Sequence, residues 1–570
     1  MTLNIALVGS GPTGLYTLAT LVEQPDPMLL TIYEAAPLGG VGMPYSPDAT
    51  HIAMLANIAS IEIPPLTETY LDWLHRQPGA FLRIYGVDPE TLHDRQFLPR
   101  LLLGGYFRDQ FERLLERGCA AGHQIALRER CRVVDIEALP EGLRLLASTD
   151  GAEPEPLFHD RVILATGHVW PDEAQNTPTY YLSPWTGLPE AEIPAARIGV
   201  LGTSLSAIDA AMSIALQHGR FSGGSEGAAV VYEPHDPAAI PRITLMSRSG
   251  ILPEADFYCP LPYEPLQICT EEAAKTEAAR GPQGLLDRLF ALFAAQLAAA
   301  DPDYAAGIGL DDLTADSFSA AYFAGRSGVE PFDHAAHNLA EVLENHAAKR
   351  TVAWRYAILR MHEVFDRMIP MLDEADLGRF DGGLKTVFVD NYAAIPPSSV
   401  SRLLALHAAG VVEVLRLGRD YDLDERGSGV AVSGAGGDRR FDLFIDARGQ
   451  RPLDLAALPF PGLRRQLAQD ADPKGREIAV DPQFRLQIPE RDAAEIRLAA
   501  LPFLMRRRPF IQGITAAAEI GTLVARSILP PVEEAPLRAR SPRAEGRRGQ
   551  PGEVSRRLSE WTASNGCAGC

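Results

Sequence analysis

The fold of this chain is decided by residues 4–34, which read NIALVGSGPTGLYTLATLVEQPDPMLLTIYE. An apolar, β-prone segment, Asn4–Val8, runs into the glycine-rich turn Gly9–Gly14, and a helical pattern follows. A second apolar strand, Leu29–Tyr33, then ends at Glu34. Strand, turn, helix and strand in this order predict a βαβ unit, and therefore a parallel sheet with covering helices.

The turn itself matches the pattern GxGxxG at the point where a strand gives way to a helix. The first glycine permits the tight turn, the second lets the backbone approach a pyrophosphate, and the third lets helix and strand pack closely. The helix N-terminus then holds the phosphates. An acidic residue is expected about 20 residues further on, to bind a ribose hydroxyl. The pattern therefore predicts a dinucleotide site made of Gly9, Gly11, Pro12, Thr13, Gly14 and Glu34.

Short apolar segments around Ile125–Leu127, Arg132–Ile136 and Leu143–Ala147 predict the strands of a small β-meander.

A later strand, Val162–Leu164, ends in Ala165, Thr166, Gly167 and His168. In flavoproteins with two dinucleotide domains, such a strand end returns beside the phosphate loop of the flavin domain. Together with the first motif, it favours FAD over NAD at the N-terminal site.

A second nucleotide-domain start lies at the apolar strand Arg197–Leu201, followed by a degenerate GxGxxA over Gly202–Ala207. Ser204 replaces the middle glycine, and the hydroxyls of Ser204 and Ser206 could donate to phosphate. The alternative is a plain strand-to-helix turn. The next strand ends in Ser247 and Arg248, where a carboxylate would select NADH. A hydroxyl and a guanidinium suit a 2′-phosphate and favour NADPH, although a solvated loop arginine is the simpler alternative.

The whole chain of 570 residues has room for several domains. We predict an α/β fold with two Rossmann-like dinucleotide-binding domains, one for FAD and one for NADPH, and a helical insertion. The expected boundaries are 1–190 for the N-terminal part of the FAD domain, 195–255 and 405–450 for the NADPH domain, 256–404 for the mostly helical insertion, 451–530 for the C-terminal part of the FAD domain, and 531–570 for a disordered tail.

These motifs resemble those of a flavoprotein monooxygenase family that includes bacterial FAD-dependent urate hydroxylases and the aspartate N-monooxygenases that form nitrosuccinate. The resemblance extends in pieces over about residues 3–530. Besides the motifs above, it rests on Gly39–Tyr45 with Asn57 downstream and on Ser247–Pro253. It implies FAD at the first site, NADPH at the second, and O2 as co-substrate. Ser204, and Ala447-Arg448-Gly449 at a later strand end, depart from the family pattern.

The stretch Arg506-Arg507-Arg508-Pro509-Phe510-Ile511-Gln512-Gly513-Ile514 precedes a predicted final helix, Thr515–Leu529. In flavoproteins of this architecture, that helix points its positive N-terminus at the flavin pyrimidine. Gln512, Gly513 and Ile514 are therefore candidate ring contacts. Arg506, Arg507 and Arg508 form a candidate clamp for a substrate anion, with a solvated basic turn as the equal alternative.

The composition of the chain restricts the classes of molecule that it is expected to bind. A formal net charge of −21 argues against non-specific binding to nucleic acid or to an anionic membrane. The sequence shows no signal peptide and no apolar run of membrane-spanning length, which predicts a cytoplasmic protein. Six cysteines do not make a disulfide framework, and the CxxC at Cys567 and Cys570 stands alone, so no metal site is predicted.

The expected function is an FAD- and NADPH-dependent monooxygenase that acts through a flavin C4a-hydroperoxide. N-oxygenation of a small anionic substrate, with L-aspartate as the leading candidate, is the first expectation. Hydroxylation of urate or another purine, and a non-catalytic regulator that binds NADPH and FAD, are the alternatives. A disulfide reductase would need a CxxC beside the flavin. The sequence identifies no catalytic acid or base.

Overall fold

The structure is a computed structural model that describes residues 2–171, 173–223, 229–468, 478–488 and 495–529. The predicted tail at 531–570, with Cys567 and Cys570, lies outside these residues. In the described part of the chain, no helix is both long and apolar enough to cross a membrane.

The first domain is built on a five-stranded parallel sheet in the order β18-β7-β1-β2-β3. A three-stranded antiparallel sheet, β4-β5-β6, is attached to it. In chain order, the elements up to the first crossing are β1 (Asn4–Val8), α1 (Pro12–Leu21), β2 (Leu29–Tyr33), α2 (Tyr70–His75), α3 (Gly79–Ile84), α4 (Arg100–Ala120), β3 (Gln124–Arg128), β4 (Cys131–Leu139), β5 (Gly142–Thr149), β6 (Glu155–His159) and β7 (Arg161–Leu164).

The second domain repeats the plan with a five-stranded parallel sheet in the order β13-β12-β9-β17-β8. The part before the helical region comprises β8 (Tyr180–Tyr181), β9 (Arg197–Leu201), α5 (Leu205–His218), β10 (Gly219–Ser222), β11 (Val231–Pro234) and β12 (Arg242–Ser247).

A helical region separates β12 from β13. Its helices are α6 (Glu271–Ala278), α7 (Leu285–Ala300), α8 (Pro302–Ile308), α9 (Phe318–Ala324), α10 (Pro331–Ala348), α11 (Ala353–Met368), α12 (Glu374–Gly382), α13 (Leu384–Tyr392) and α14 (Pro397–Ala408). Most of them share their own apolar core, whereas α10 and α14 pack into the core of the second domain.

The chain then completes the second domain and returns to the first. The remaining elements are β13 (Val412–Arg416), β14 (Asp422–Arg426), β15 (Gly429–Ser433), β16 (Arg439–Phe441), β17 (Leu443–Asp446), α15 (Pro461–Leu467), β18 (Ile496–Leu498) and α16 (Gly513–Ile528). Helix α16 packs on α1, where Gly521 has no room for a side chain, because a Cβ there would lie 2.7 Å from the carbonyl oxygen of Thr13.

The predicted fold class, α/β with two Rossmann-like domains and a helical insertion, is confirmed. One strand was assigned to the wrong sheet. Residues 125–127 were expected in the small antiparallel sheet, but β3 pairs in parallel with β2. Its short apolar pattern is compatible with either sheet, so only tertiary packing decides.

Candidate functional site

The first phosphate loop depends on close backbone contacts with the strand end after β7. Gly9 has a φ of +99°, and a Cβ at this position would lie 2.3 Å from the carbonyl oxygen of Ala165. A Cβ on Gly14 would lie 2.2 Å from the carbonyl oxygen of Gly9. Both positions therefore require glycine, and the predicted motifs Gly9–Gly14 and Ala165–Gly167 lie side by side.

Glu34 lies at the end of β2 and is hydrogen-bonded to the same loop. Its Oε2 accepts from the backbone N of Ser10 at 3.0 Å and from Ser10 Oγ at 2.7 Å. Ser10 Oγ in turn accepts from the backbone N of Gly40 at 2.9 Å. This network holds the acidic residue beside the phosphate loop, at the position where a ribose hydroxyl would bind.

The start of α1 is open for an anion. Gly11 is the N-cap residue and makes no side-chain capping bond, and Pro12 opens the helix. A Cβ on Gly11 would lie 3.3 Å from the Cα of Gly42, so the Gly39–Tyr45 loop packs directly against this turn. Uncapped helix N–H groups and glycine-only clearance fit the diphosphate of FAD.

In the second domain, too, a turn glycine packs closely against the carbonyl at a neighbouring strand end. Gly202 has a φ of +145°, and a Cβ there would lie 2.7 Å from the carbonyl oxygen of Ala447, at the end of β17. Ser204 is the exposed N-cap residue of α5, and it makes no side-chain capping bond. The second dinucleotide loop therefore also ends in an open helix N-terminus, despite the serine in place of the middle glycine. Ser206 lies in the first turn of α5 and is partly exposed.

The predicted 2′-phosphate residues differ in their surroundings. Ser247 Oγ is hydrogen-bonded to Thr203 Oγ1 at 3.2 Å and accepts from the backbone N of Gly250 at 3.0 Å, so it shapes the turn. Arg248 is exposed, and its guanidinium has no hydrogen-bond or ion-pair partner among the described residues. Arg416, at the end of β13, is paired in register with Ser247 and is also exposed. The strand ends thus present two arginines.

Two contacts join the domains at the site. Nδ1 of His168 lies 2.6 Å from Oε1 of Gln450, and burial lowers the pKa of His168. Nη2 of Arg100, at the start of α4, lies 2.7 Å from Oδ2 of Asp209 in α5. Burial raises the pKa of Asp209, and Arg100 opposes that shift. Arg100 also donates from Nε to the carbonyl oxygen of Leu55 at 3.1 Å.

Helix α16 begins at the same edge of the first sheet as the loop Gly9–Gly14. Its last residues line the same surface pocket as Leu3 and Arg161, which are near the beginnings of β1 and β7. Its N-terminus therefore points to the opposite, carboxyl edge of the sheet, where the phosphate loop lies. Gln512 is the N-cap residue without a side-chain capping bond, and Gly513 is exposed with a φ of +82°. Ile514 is buried.

The three arginines before α16 bind carboxylates of the helical region. Nη2 of Arg507 lies 3.0 Å from Glu374 Oε1, and Nη2 of Arg506 lies 3.4 Å from Glu374 Oε2. Arg508 donates from Nε and Nη2 to Oδ2 of Asp366 at 2.8 and 2.6 Å. A substrate anion at this cluster would have to compete with these carboxylates.

Charges of both signs meet where the first domain, the segment after β12 and α11 come together. Burial raises the pKa of the Cys259 thiol to about 12; the carboxylates of Asp256 and Glu62 add to this shift, and Arg95 and Arg360 oppose it. Burial, together with Glu62, also raises the pKa of Asp256 to about 7. Sequence reasoning missed this cluster because its members carry no local motif.

Other contacts surround the cluster. Arg95 donates from Nη1 to the carbonyl oxygen of Cys259 at 2.9 Å, and Tyr263 donates to Glu62 Oε1 at 3.3 Å. Arg360 lies 4.5 Å above the ring of Tyr263. Within the described ranges, no group of three or more His, Cys, Asp or Glu side chains is arranged to hold a metal ion.

Two families match parts of the chain. Residues 6–169 match the family described as FAD-NAD(P)-binding, and residues 270–392 match the YdhS-like middle domain. A relative from Escherichia coli (strain K12), described as uncharacterized protein YdhS, is 49% identical over 533 residues, which are 93% of this chain and 98% of the relative. The FAD-NAD(P)-binding match confirms the predicted cofactors, a flavin and a nicotinamide dinucleotide, at the level of the family.

Three solved structures with the same fold are named as an ornithine N-hydroxylase, an ornithine hydroxylase and an L-lysine 6-monooxygenase. The ornithine N-hydroxylase of Kutzneria sp. 744, with reduced FAD, NADP+ and L-ornithine, has a TM-score of 0.50 at 13% identity and covers 93% of this chain and 99% of its own. Reduced ornithine hydroxylase from Pseudomonas aeruginosa gives 0.51 at 12%, with coverage of 93% and 99%. L-lysine 6-monooxygenase from Pseudomonas syringae gives 0.50 at 14%, with coverage of 92% and 98%. At these identities the likeness shows a shared fold.

Proposed function

We propose a function from one premise: the chain belongs to the family of the Escherichia coli protein YdhS. The protein is an FAD-dependent oxidoreductase that uses NADPH and O2, and it works as a monooxygenase. One observation carries this proposal. Gly9 packs against the strand-end carbonyl of Ala165, and Gly202 packs in the same way against that of Ala447, which supports a dinucleotide loop in each domain.

FAD belongs to the first loop. The residues that would hold it are the open turn at Gly9–Gly14, Glu34 for the ribose, and the strand end Ala165, Thr166 and Gly167. Bound FAD supplies the redox chemistry that takes electrons from NADPH and delivers them to O2. Gln512, Gly513 and Ile514 begin α16, whose positive N-terminus would stabilise negative charge on a bound flavin.

NADPH belongs to the second loop, at Gly202, Ser204 and Ser206. The 2′-phosphate would meet Arg248 and Arg416, two exposed guanidiniums at neighbouring strand ends. A guanidinium binds a phosphate with charge-assisted hydrogen bonds, whereas NADH offers only a hydroxyl at this position. Ser247 contributes by fixing the turn through Thr203 and Gly250.

The substrate is a small molecule that carries both an ammonium and a carboxylate group, with L-aspartate as the leading candidate for N-oxygenation. The charge cluster supports this choice, because Glu62 and Asp256 suit an ammonium group while Arg95 suits a carboxylate. Arg360 could add to the carboxylate site, although it is already ion-paired with Glu363. Urate has no ammonium group. The alternative substrate-binding residues are Arg506, Arg507 and Arg508, which a carboxylate would reach only by displacing Glu374 or Asp366.

The test follows NADPH oxidation, O2 uptake and peroxide release in the FAD-loaded protein with aspartate and, separately, with urate. Coupled oxidation of aspartate without peroxide is expected. Its rate should rise with pH across the neutral and mildly alkaline range, because the nitrogen must be unprotonated to be oxygenated. A protein that binds no FAD contradicts the whole proposal. A yellow protein that consumes NADPH but oxidises neither compound contradicts the substrate alone.

Two variants separate the substrate sites. Arg360→Met should raise the KM for aspartate, while Arg507→Met should leave it unchanged if the arginines before α16 serve only their carboxylate partners. The reverse pattern would favour the arginine clamp at 506–508. Bound FAD, measured by absorbance, should be the same in both variants, since neither residue lies at the phosphate loop.

A further inference from the structure

We infer that helix α11 is a rigid link that couples the nicotinamide-domain segment after β12 to the loop that starts α16. This inference rests on the proposed function, because it concerns how the state of one cofactor site changes the affinity of the other. The link has three parts: a buried ion pair at one end of α11, another at its other end, and an aromatic anchor beside the second.

The N-terminal end of α11 is ion-paired with the segment that follows Ser247 and Arg248. Arg355 is 4% exposed, and its Nη2 lies 2.9 Å from Glu254 Oε2. Its guanidinium also lies 4.5 Å from the ring centre of Phe257. Although burial opposes ionisation, Arg355, His334 and Arg326 hold the pKa of Glu254 below its usual range and favour the charged pair.

The second end holds the loop before α16. Oδ2 of Asp366 accepts both hydrogen bonds from Arg508, and the two side chains are largely buried. Phe510, two residues further on, is 7% exposed and packs into the core of the helical region. Its ring contacts include His362 of α11 at 5.8 Å and Phe388 of α13 at 5.5 Å.

Between these ends, α11 is packed along one face into the core of the helical region. Ile358, Met361 and Phe365 are at most 1% exposed in the core of the helical region. With a rise of 1.5 Å per residue, Arg355 and Asp366 are about 16 Å apart along the axis. A shift of the segment at Glu254 therefore moves Asp366, and through Arg508 and Phe510 it moves Gly513, where α16 begins.

This geometry predicts that the redox state of the flavin and the occupancy of the nicotinamide site are coupled through α11. Reduced flavin carries negative charge that the N-terminus of α16 stabilises. A change at α16 is transmitted to the segment at Glu254, and by linkage NADP+ affinity must respond to flavin reduction. The alternative is that α11 only packs, and that the two sites influence each other through direct contact alone.

The test measures the Kd of NADP+ for the FAD-loaded protein with oxidised and with dithionite-reduced flavin, under anaerobic conditions. The ratio of the two values reports the coupling. Asp366→Asn keeps the shape but removes the charge pair with Arg508, and it should reduce the ratio at least threefold while FAD content stays complete. The matched control is Asp381→Asn, which removes the ion pair with Lys385 inside the helical region and should leave the ratio unchanged.

A ratio in Asp366→Asn that equals the wild-type ratio overturns the inference while leaving the proposed function intact. A wild-type ratio of one overturns it as well. Should Asp366→Asn fail to fold, Arg508→Lys is judged by the same ratio, because it keeps the charge but cannot make both hydrogen bonds. Failure of the wild-type protein to bind FAD contradicts the proposed function itself.

Discussion

Nδ1 of His168 lies 2.6 Å from Oε1 of Gln450. Each of the two residues directly follows a glycine in the loop after an equivalent strand of its domain. His168 follows Gly167 after β7, where the chain leaves the first domain. Gln450 follows Gly449 after β17, where the chain returns to it. The two crossings between the dinucleotide domains are therefore hydrogen-bonded to each other at the edge where the cofactors would meet.

Gln450→Leu should loosen these crossings. It leaves a largely buried imidazole N–H without an acceptor, which costs about 1 kcal/mol of stability. We expect a lower Tm and faster proteolytic cleavage between 166 and 197, with bound FAD unchanged. Gln450→Glu should keep the acceptor and restore both values. Equal cleavage rates in the wild type and in Gln450→Leu would show that this bond does not restrain the crossings.

Gly11→Val should abolish FAD binding while the domain stays folded. The added side chain would occupy the space where the backbone must approach the diphosphate, and a Cβ there is already 3.3 Å from Gly42. Flavin absorbance per protein, with circular dichroism as the folding check, measures the effect. Gly307→Val in α8 is the control, because a Cβ at Gly307 meets no atom within 4 Å.

Arg248→Ala should raise the KM for NADPH about 10- to 150-fold, and change that for NADH little. The loss of one charge-assisted hydrogen bond costs on the order of 1.5–3 kcal/mol. Arg416→Ala should act in the same direction. Arg242→Ala is the matched control, since Arg242 is exposed at the opposite end of the same strand. Equal effects of Arg248→Ala on both nucleotides would remove this residue from the 2′-phosphate site.

The sequence predicts the elements of the two dinucleotide loops well because their signals are local. A glycine-rich turn between a strand and a helix requires particular residues within a few positions, and these are readable in order. The final helix was predicted from Thr515 and begins at Gly513.

The surroundings of the charged residues could not be predicted in the same way. Arg508 binds Asp366, which is 142 residues away in sequence, and no periodicity links them. Arg100 carries no motif, and the motif that contains Asp209 does not indicate that these two residues pair. A run of three arginines indicates a basic surface, but only the packing of the helical region shows that carboxylates already cover it.

Asp256 gives the protein a pH-dependent stability that Asp256→Asn should remove. Burial, reinforced by Glu62 and opposed by Arg355 and Arg95, raises its pKa from about 4 in the unfolded chain to about 7. Because the folded state holds this proton more tightly, the proton on Asp256 stabilises the folded state. This stabilisation is fully present below pH 4 and is lost as pH rises through 7.

The variant should therefore gain stability relative to the wild type between pH 4 and 7, by on the order of 2–4 kcal/mol, and keep a constant advantage above pH 8. Urea denaturation of FAD-loaded protein at several pH values measures the difference. Asp26→Asn, at an exposed position between α1 and β2, is the matched control. A difference that stays flat from pH 4 to 8 would mean that Asp256 is ionised in the folded protein, and the carboxylate would then face a substrate ammonium as a permanent charge.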